Sequence, residues 1–178
     1  MVLQVLAIAF VWIALFKLNA VLFPVLDLND HVSWIFLPAA LRLFAVLVFG
    51  LPGAAGLFVG SMLHADLTSP VSAFHGIMYA ILSAGGPVMA LAICMRGLRI
   101  EADLSGLRPA HLAVFSLVGA ACNVIPNRLY MWATSMIVGP YVDFVPMFIG
   151  DTIGTVLMLY FAGACLRVLA AASARRER

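Results

Sequence analysis

Lys17, Arg42, Arg128 and Asp151 are charged residues set within strongly apolar runs of this 178-residue chain. In hydrocarbon such groups are costly, and by default they mark a functional site. Arg42 lies near the middle of SWIFLPAALRLFAVLVFG, roughly 13 Å from either end at 1.5 Å per residue. Lys17 is about 15 Å and Asp151 about 10 Å from the outer ends of their helices on the same rise. Three cations therefore face a single carboxylate. Asp151 can neutralise one of them, and Arg128, at comparable depth, is the expected partner. The other two call for an anion: a carboxylate, a phosphate or an anionic lipid head group. A guanidinium suits this because its planar fork binds carboxylate or phosphate bidentately. Asn123 and Asn127 share one helix face and would add donors to the same cavity. Weighed against this is a structural role, with Arg42 snorkelling or paired and Asn123, Asn127 and Asp151 tying helices together.

Other chemistries find less support. His31, His64 and Asp66, with Asp27 and Asp30, are the candidates for a zinc or copper site made of imidazole and carboxylate. They follow no ligand spacing, and polar loop residues are the ordinary expectation. Cys94, Cys122 and Cys165 fit no metal pattern and are expected as free thiols. One intramembrane Asp cannot form an aspartyl dyad. Ser61 and His64 lack a nucleophile elbow and a third partner. No GxxxxGK[ST] loop is present. The chain is expected to be non-enzymatic, with no cofactor.

The elements that position these residues are membrane helices. The chain is 65% hydrophobic and 10% charged, with mean hydropathy +1.11, against about 45–50% and about 25% for soluble domains. That composition excludes an ordinary soluble fold. The expectation is one all-α, polytopic integral membrane domain over residues 1–170, with a short basic cytoplasmic tail at 171–178. Six transmembrane helices are read at about 4–26, 33–50, 52–63, 72–95, 110–138 and 144–170. A tight turn at Gly50-Leu51-Pro52-Gly53 joins the second to a short third. Gly53, Gly56 and Gly60 leave one side of that third helix open to a neighbouring backbone, and Gly150 and Gly154 repeat the spacing later. Gly85, Gly86 and Pro87 predict a kink or unwound hinge in helix 4.

The basic residues set the orientation. Arg96, Arg99 and Arg108 share one connection, and Arg167, Arg175, Arg176 and Arg178 share the C-terminal end. The alternate loops hold Asp27, Asp30, Asp66 and Asp143. Both termini are therefore expected in the cytoplasm. The tail arginines mark an anionic leaflet and not nucleic acid, since no aromatic-interleaved basic surface accompanies them.

Several phrases occur in a telling order: Trp34…Pro38-Ala39-Ala40, Phe49-Gly50, Pro52-Gly53…Gly56…Gly60-Ser61, and Gly150-Asp151-Thr152-Ile153-Gly154. In order and spacing they resemble the MASE1 family of bacterial integral-membrane sensor domains, over roughly residues 30–165. Ala40 stands where that family favours glycine, Arg42 is an added charge, and no output module follows. The resemblance implies a free-standing sensor or ligand-binding module in the bacterial inner membrane. It would take a small anionic ligand from the outer side and relay occupancy to a membrane or cytoplasmic signalling partner through residues 96–109 and the tail. One alternative is a small-molecule transporter or its substrate-binding subunit. The six-helix vitamin-binding components of energy-coupling-factor transporters have similar size and topology, though helix 1 lacks their alanine-spaced coupling pattern. Another is a structural subunit of a membrane complex.

Overall fold

The computed structural model describes residues 1–29, 32–68, 72–98, 109–139 and 141–176. Six α-helices make up nearly all of the described chain: α1 (Val2–Leu22), α2 (Pro38–Phe49), α3 (Leu51–Thr68), α4 (Ala73–Leu98), α5 (Pro109–Ala133) and α6 (Phe144–Arg176). A 3-10 turn at Pro24–Leu26 leads into a small antiparallel ribbon, β1 (Asp27–Asn29) with β2 (Val32–Ser33). Among the described residues, α1, α4, α5 and the Phe144–Phe161 part of α6 are each long and apolar enough to cross a membrane. The fold is an all-α bundle of membrane-protein character. His31 and residues 99–108 of the basic connection lie outside the described residues, as do Asp30 and Arg178.

The shortest helix is the hub. α2 has 12 residues and is therefore about 18 Å long, short of the roughly 30 Å hydrocarbon core. It nevertheless touches each of the other five helices. Its position follows from how its N-terminus is held. Helix was expected from Ser33, but the backbone is irregular until Pro38, which occupies the first helical turn, where its missing N–H costs nothing. The irregular stretch needs partners for its polar backbone, and its neighbours supply them. The Asn19 side chain on α1 accepts from Leu37 N–H at 2.9 Å. Gly150 O accepts from Phe36 N–H at 3.1 Å, and Leu26 O from Trp34 N–H at 3.0 Å. Non-helical backbone is tolerated at membrane depth only when buried in protein this way.

Glycine makes that burial possible. A Cβ at Gly150 would collide with the Ser33 carbonyl, and one at Gly154 with that of Phe36. Both glycines thus seat an irregular segment, where a helix-on-helix contact was expected. On α3, a Cβ at Gly53 would strike the Ala45 carbonyl of α2, one at Gly56 would lie 2.7 Å from Ile8 and one at Gly60 2.8 Å from Trp12. These three bring α3 against α2 and α1. The buried cluster of Ile8, Trp12, Ala45, Val46, Leu57 and Ala84 fills the space between. The turn from α2 to α3 is tighter than expected. Gly50 alone makes it, at φ +60, a conformation other residues rarely adopt.

Several expected boundaries need correction. α3 runs to Thr68, so His64 and Asp66 belong to a helix and not to a loop. α6 continues through the predicted tail to Arg176. α5 ends at Ala133, short of the predicted 138, and turns occupy the residues that follow. The expected break at Gly85, Gly86 and Pro87 is absent, and α4 is helical throughout. The helix continues through the sequence signal, and packing accompanies that continuity. A Cβ at Gly86 would sit 3.1 Å from the Cys122 carbonyl and 3.3 Å from Asn123 Cα, so α4 lies directly on α5 there. Gly85 faces open space. Cys94 and Cys122 are free and buried.

Candidate functional site

The hub position of α2 carries Arg42 into the centre of the bundle. Its Nη1 donates to Asp151 Oδ2 at 3.1 Å, and the two residues are only 9% and 3% exposed. Asn123 Nδ2 on α5 donates to the same oxygen at 2.6 Å. Asn127, one turn further along, donates to the Asn123 carbonyl at 2.8 Å and to its Oδ1 at 3.2 Å. The polar chain therefore runs Asn127, Asn123, Asp151, Arg42 and joins α5, α6 and α2. Asn123 and Asn127 do share a face, as their spacing predicts.

Aromatic rings cover the other side of the guanidinium. Arg42 Cζ lies 5.0 Å from the Trp12 ring centre and 5.1 Å from that of Phe36. Such contacts are worth about 0.5–1 kcal/mol when exposed and about 2 kcal/mol when desolvated. Phe16 joins the cluster, edge-on to both rings at 5.1 and 5.0 Å. Beside the ion pair is a cavity of about 20 Å³, bordered by Arg42, Pro87, Ser116, Gly119, Asp151 and Thr155 among others. That is room for about one water. Ser116 and Thr155 donate their hydroxyl protons to the Thr152 and Asp151 carbonyls, which leaves their oxygens as acceptors.

The predicted pairing of Arg128 with Asp151 is wrong. Arg128, 2% exposed, donates instead to the Val142 carbonyl at 3.4 Å and the Met147 sulfur at 3.2 Å. Asp143 also lies within electrostatic reach of it. Similar depth suggested the pair, but depth says nothing about azimuth. The residue facing Asp151 is set by α2 lying at the centre. Lys17 does not join the site either, since its side chain is on the exposed face of α1. His64 stacks near Phe16, ring centres 3.9 Å apart. Among the described residues, no group of three or more His, Cys, Asp or Glu comes together, and His31 lies outside them.

One chemical asymmetry stands out. Among the described residues, the buried side-chain polar atoms without a protein partner are Trp12 Nε1, Arg42 Nε and Arg128 Nε. All are N–H donors, and none is an acceptor. Natural proteins leave few buried polar groups unsatisfied, so donors of this kind call for oxygen acceptors. Trp12, Phe36 and Asn19 were missed as contributors by the sequence reading. Trp12 and Phe16 are four apart in α1 and so share a helix face, the one signal that an aromatic face was being built.

Comparison with protein families, with curated proteins and with solved structures finds no match for this chain.

Proposed function

We propose that this chain is a membrane-embedded, non-enzymatic sensor or ligand-binding module that takes a small carboxylate at Trp12 and Arg42. The observation that carries the reading is the pair of unpartnered donors, Trp12 Nε1 and Arg42 Nε, around a guanidinium already engaged by Asp151. An entering carboxylate competes with Asp151 for Arg42 and accepts from the unpartnered N–H groups. The cavity beside the ion pair holds about one water and is bordered by Arg42 but not by Trp12, so a carboxylate reaches both donors only as the contacts of α2 with α1 and α6 loosen. Binding is thereby coupled to a movement of the hub helix, which a sensor requires. In this reading the chain crosses the inner membrane six times with both termini inside, the short α2 spanning together with the buried non-helical stretch that precedes it. The site opens outward, and the 96–109 connection and C-terminal end meet a signalling partner. Of the phrases that resemble MASE1 domains, Gly53 packs on Ala45 of α2, and Gly150 and Gly154 pack on Ser33 and Phe36 just before it, so they seat the helix that carries Arg42.

A transporter is the second reading, favoured by Pro87 on the cavity wall, where α4 lacks a backbone hydrogen bond and opens at lower cost. Uptake of labelled acetate into vesicles separates the two. The binding claim is tested by thermal unfolding in detergent with formate and acetate, against chloride at equal ionic strength. Saturable stabilisation that Arg42→Gln abolishes supports the site. No stabilisation of the wild type would leave the donors to water and remove the ligand.

A further inference from the structure

Arg128 is the remaining buried guanidinium, and its surroundings are distinct from those of Arg42. It lies in the last turns of α5, close to the connection 134–143. Of its five N–H donors, the acceptors met by Nη1 and Nη2 are a carbonyl at the long distance of 3.4 Å and a thioether sulfur at 3.2 Å. Nε has no protein partner. Sulfur is a weak acceptor, so this cation is poorly served for a group 2% exposed.

A tyrosine hydroxyl lies near it. Tyr79 on α4 lies within electrostatic reach of Arg128 and donates to another thioether, Met136, at 3.2 Å. Tyr130 packs edge-on against Tyr79, ring centres 5.7 Å apart, and its hydroxyl meets His75 Nδ1. Asp143 supplies negative charge to the same region. The charge is therefore partly balanced already, and what the guanidinium edge lacks is oxygen acceptors more than a full counter-charge. A singly charged phosphodiester supplies these, with tetrahedral oxygens suited to an Arg fork. A dianion would be opposed by Asp143. At the same end of the bundle Trp132, Val138 and Tyr141 are exposed, with the aromatic rings typical of the head-group level.

We infer that Arg128, with Tyr79, forms a second site that binds the phosphodiester of a phospholipid head group at the α4–α5 end of the bundle, independently of Arg42.

The test uses the full chain in maltoside detergent and follows its thermal unfolding. The probes are dihexanoyl phosphatidylglycerol, inorganic phosphate with chloride at equal ionic strength, and dihexanoylglycerol, which lacks the phosphodiester. The phosphatidylglycerol is expected to stabilise the wild type saturably and the diacylglycerol to do nothing. Arg128→Gln should abolish the response. Tyr79→Phe, which folds with one hydroxyl fewer, should raise the apparent Kd about tenfold, the loss of one charge-assisted hydrogen bond. Arg42→Gln should respond as the wild type. Stabilisation by inorganic phosphate at similar affinity would overturn the assignment to a singly charged phosphodiester. An equal shift from dihexanoylglycerol, no shift from either phosphate-bearing probe, or an unchanged Kd in Tyr79→Phe would overturn the proposal.

Discussion

Replacing Asp151 with Asn isolates the energetics of the central ion pair. Asp151→Asn keeps the shape and an oxygen for Asn123 Nδ2, which now donates at 2.6 Å. It removes the charge that faces Arg42 at 3.1 Å. Arg42 is 9% exposed, so the guanidinium is left in place with no carboxylate opposite. Breaking one side of a buried pair costs about 3–5 kcal/mol. For a chain of this size about 1 kcal/mol corresponds to 2–4 °C, so the unfolding temperature should fall by about 10 °C. Arg42→Gln loses the same pair and the contacts with Trp12 and Phe36 as well. Combining the two removes both charges together, so the double variant should be more stable than the sum of the singles by about 2 kcal/mol. Among the described residues Arg128 shares no partner with Asp151, and Arg128→Gln with Asp151→Asn should be additive to within about 0.5 kcal/mol. Thermal unfolding in detergent, read by tryptophan fluorescence, measures both cycles. Additivity in the Arg42 cycle, or coupling in the Arg128 cycle, would refute the assignment of the pair.

Other outcomes follow from the packing and the charge pattern. Gly154→Ala forces a methyl onto the Phe36 carbonyl and should cost about 1–3 kcal/mol. Gly85→Ala meets open space and should gain about 0.5–1 kcal/mol from helix propensity; a loss there would mean that this face is covered by another molecule. Because α4 is continuous, amides at 83–86 should exchange no faster than those at 77–80 and 91–94, and faster exchange would restore the hinge. A cysteine placed at Thr68 should react with an impermeant thiol reagent from outside and one at Ala172 only after permeabilisation; the opposite pattern reverses the orientation.

Much of the fold was legible from composition and punctuation. Runs of apolar residues between Pro, Gly and charged clusters located six helices to within a few residues at most ends, because length and hydropathy dominate a membrane chain. Azimuth was the information lost. Depth estimates placed Arg128 and Asp151 at one level, yet which side chains meet depends on which helix is central. Nothing in the text of α2 announces that its shortness makes it the hub. The glycines were read correctly as points of close approach, but the partner at Gly150 and Gly154 is an irregular segment, which no G-x-x-x-G spacing distinguishes from a helix. The unwound stretch expected at Gly85-Gly86-Pro87 did not form, for a related reason. Local propensity for a break is weaker than the packing of Gly86 on α5. Asn123 and Asn127 were recognisable because their spacing alone fixes a shared face.

The carboxylate site proposed at Trp12 and Arg42 uses donors that meet no protein acceptor among the described residues. The indole Nε1–H resonance of Trp12 reports on this directly. In protein labelled with 15N-tryptophan, with Trp12→Phe to assign the signal among Trp12, Trp34 and Trp132, acetate can be titrated against chloride at constant ionic strength. A saturable downfield shift of the Trp12 signal alone, lost in Arg42→Gln and kept in Arg128→Gln, is the predicted result. An unmoved Trp12 resonance at saturating acetate, or the same shift in Arg42→Gln, would contradict it.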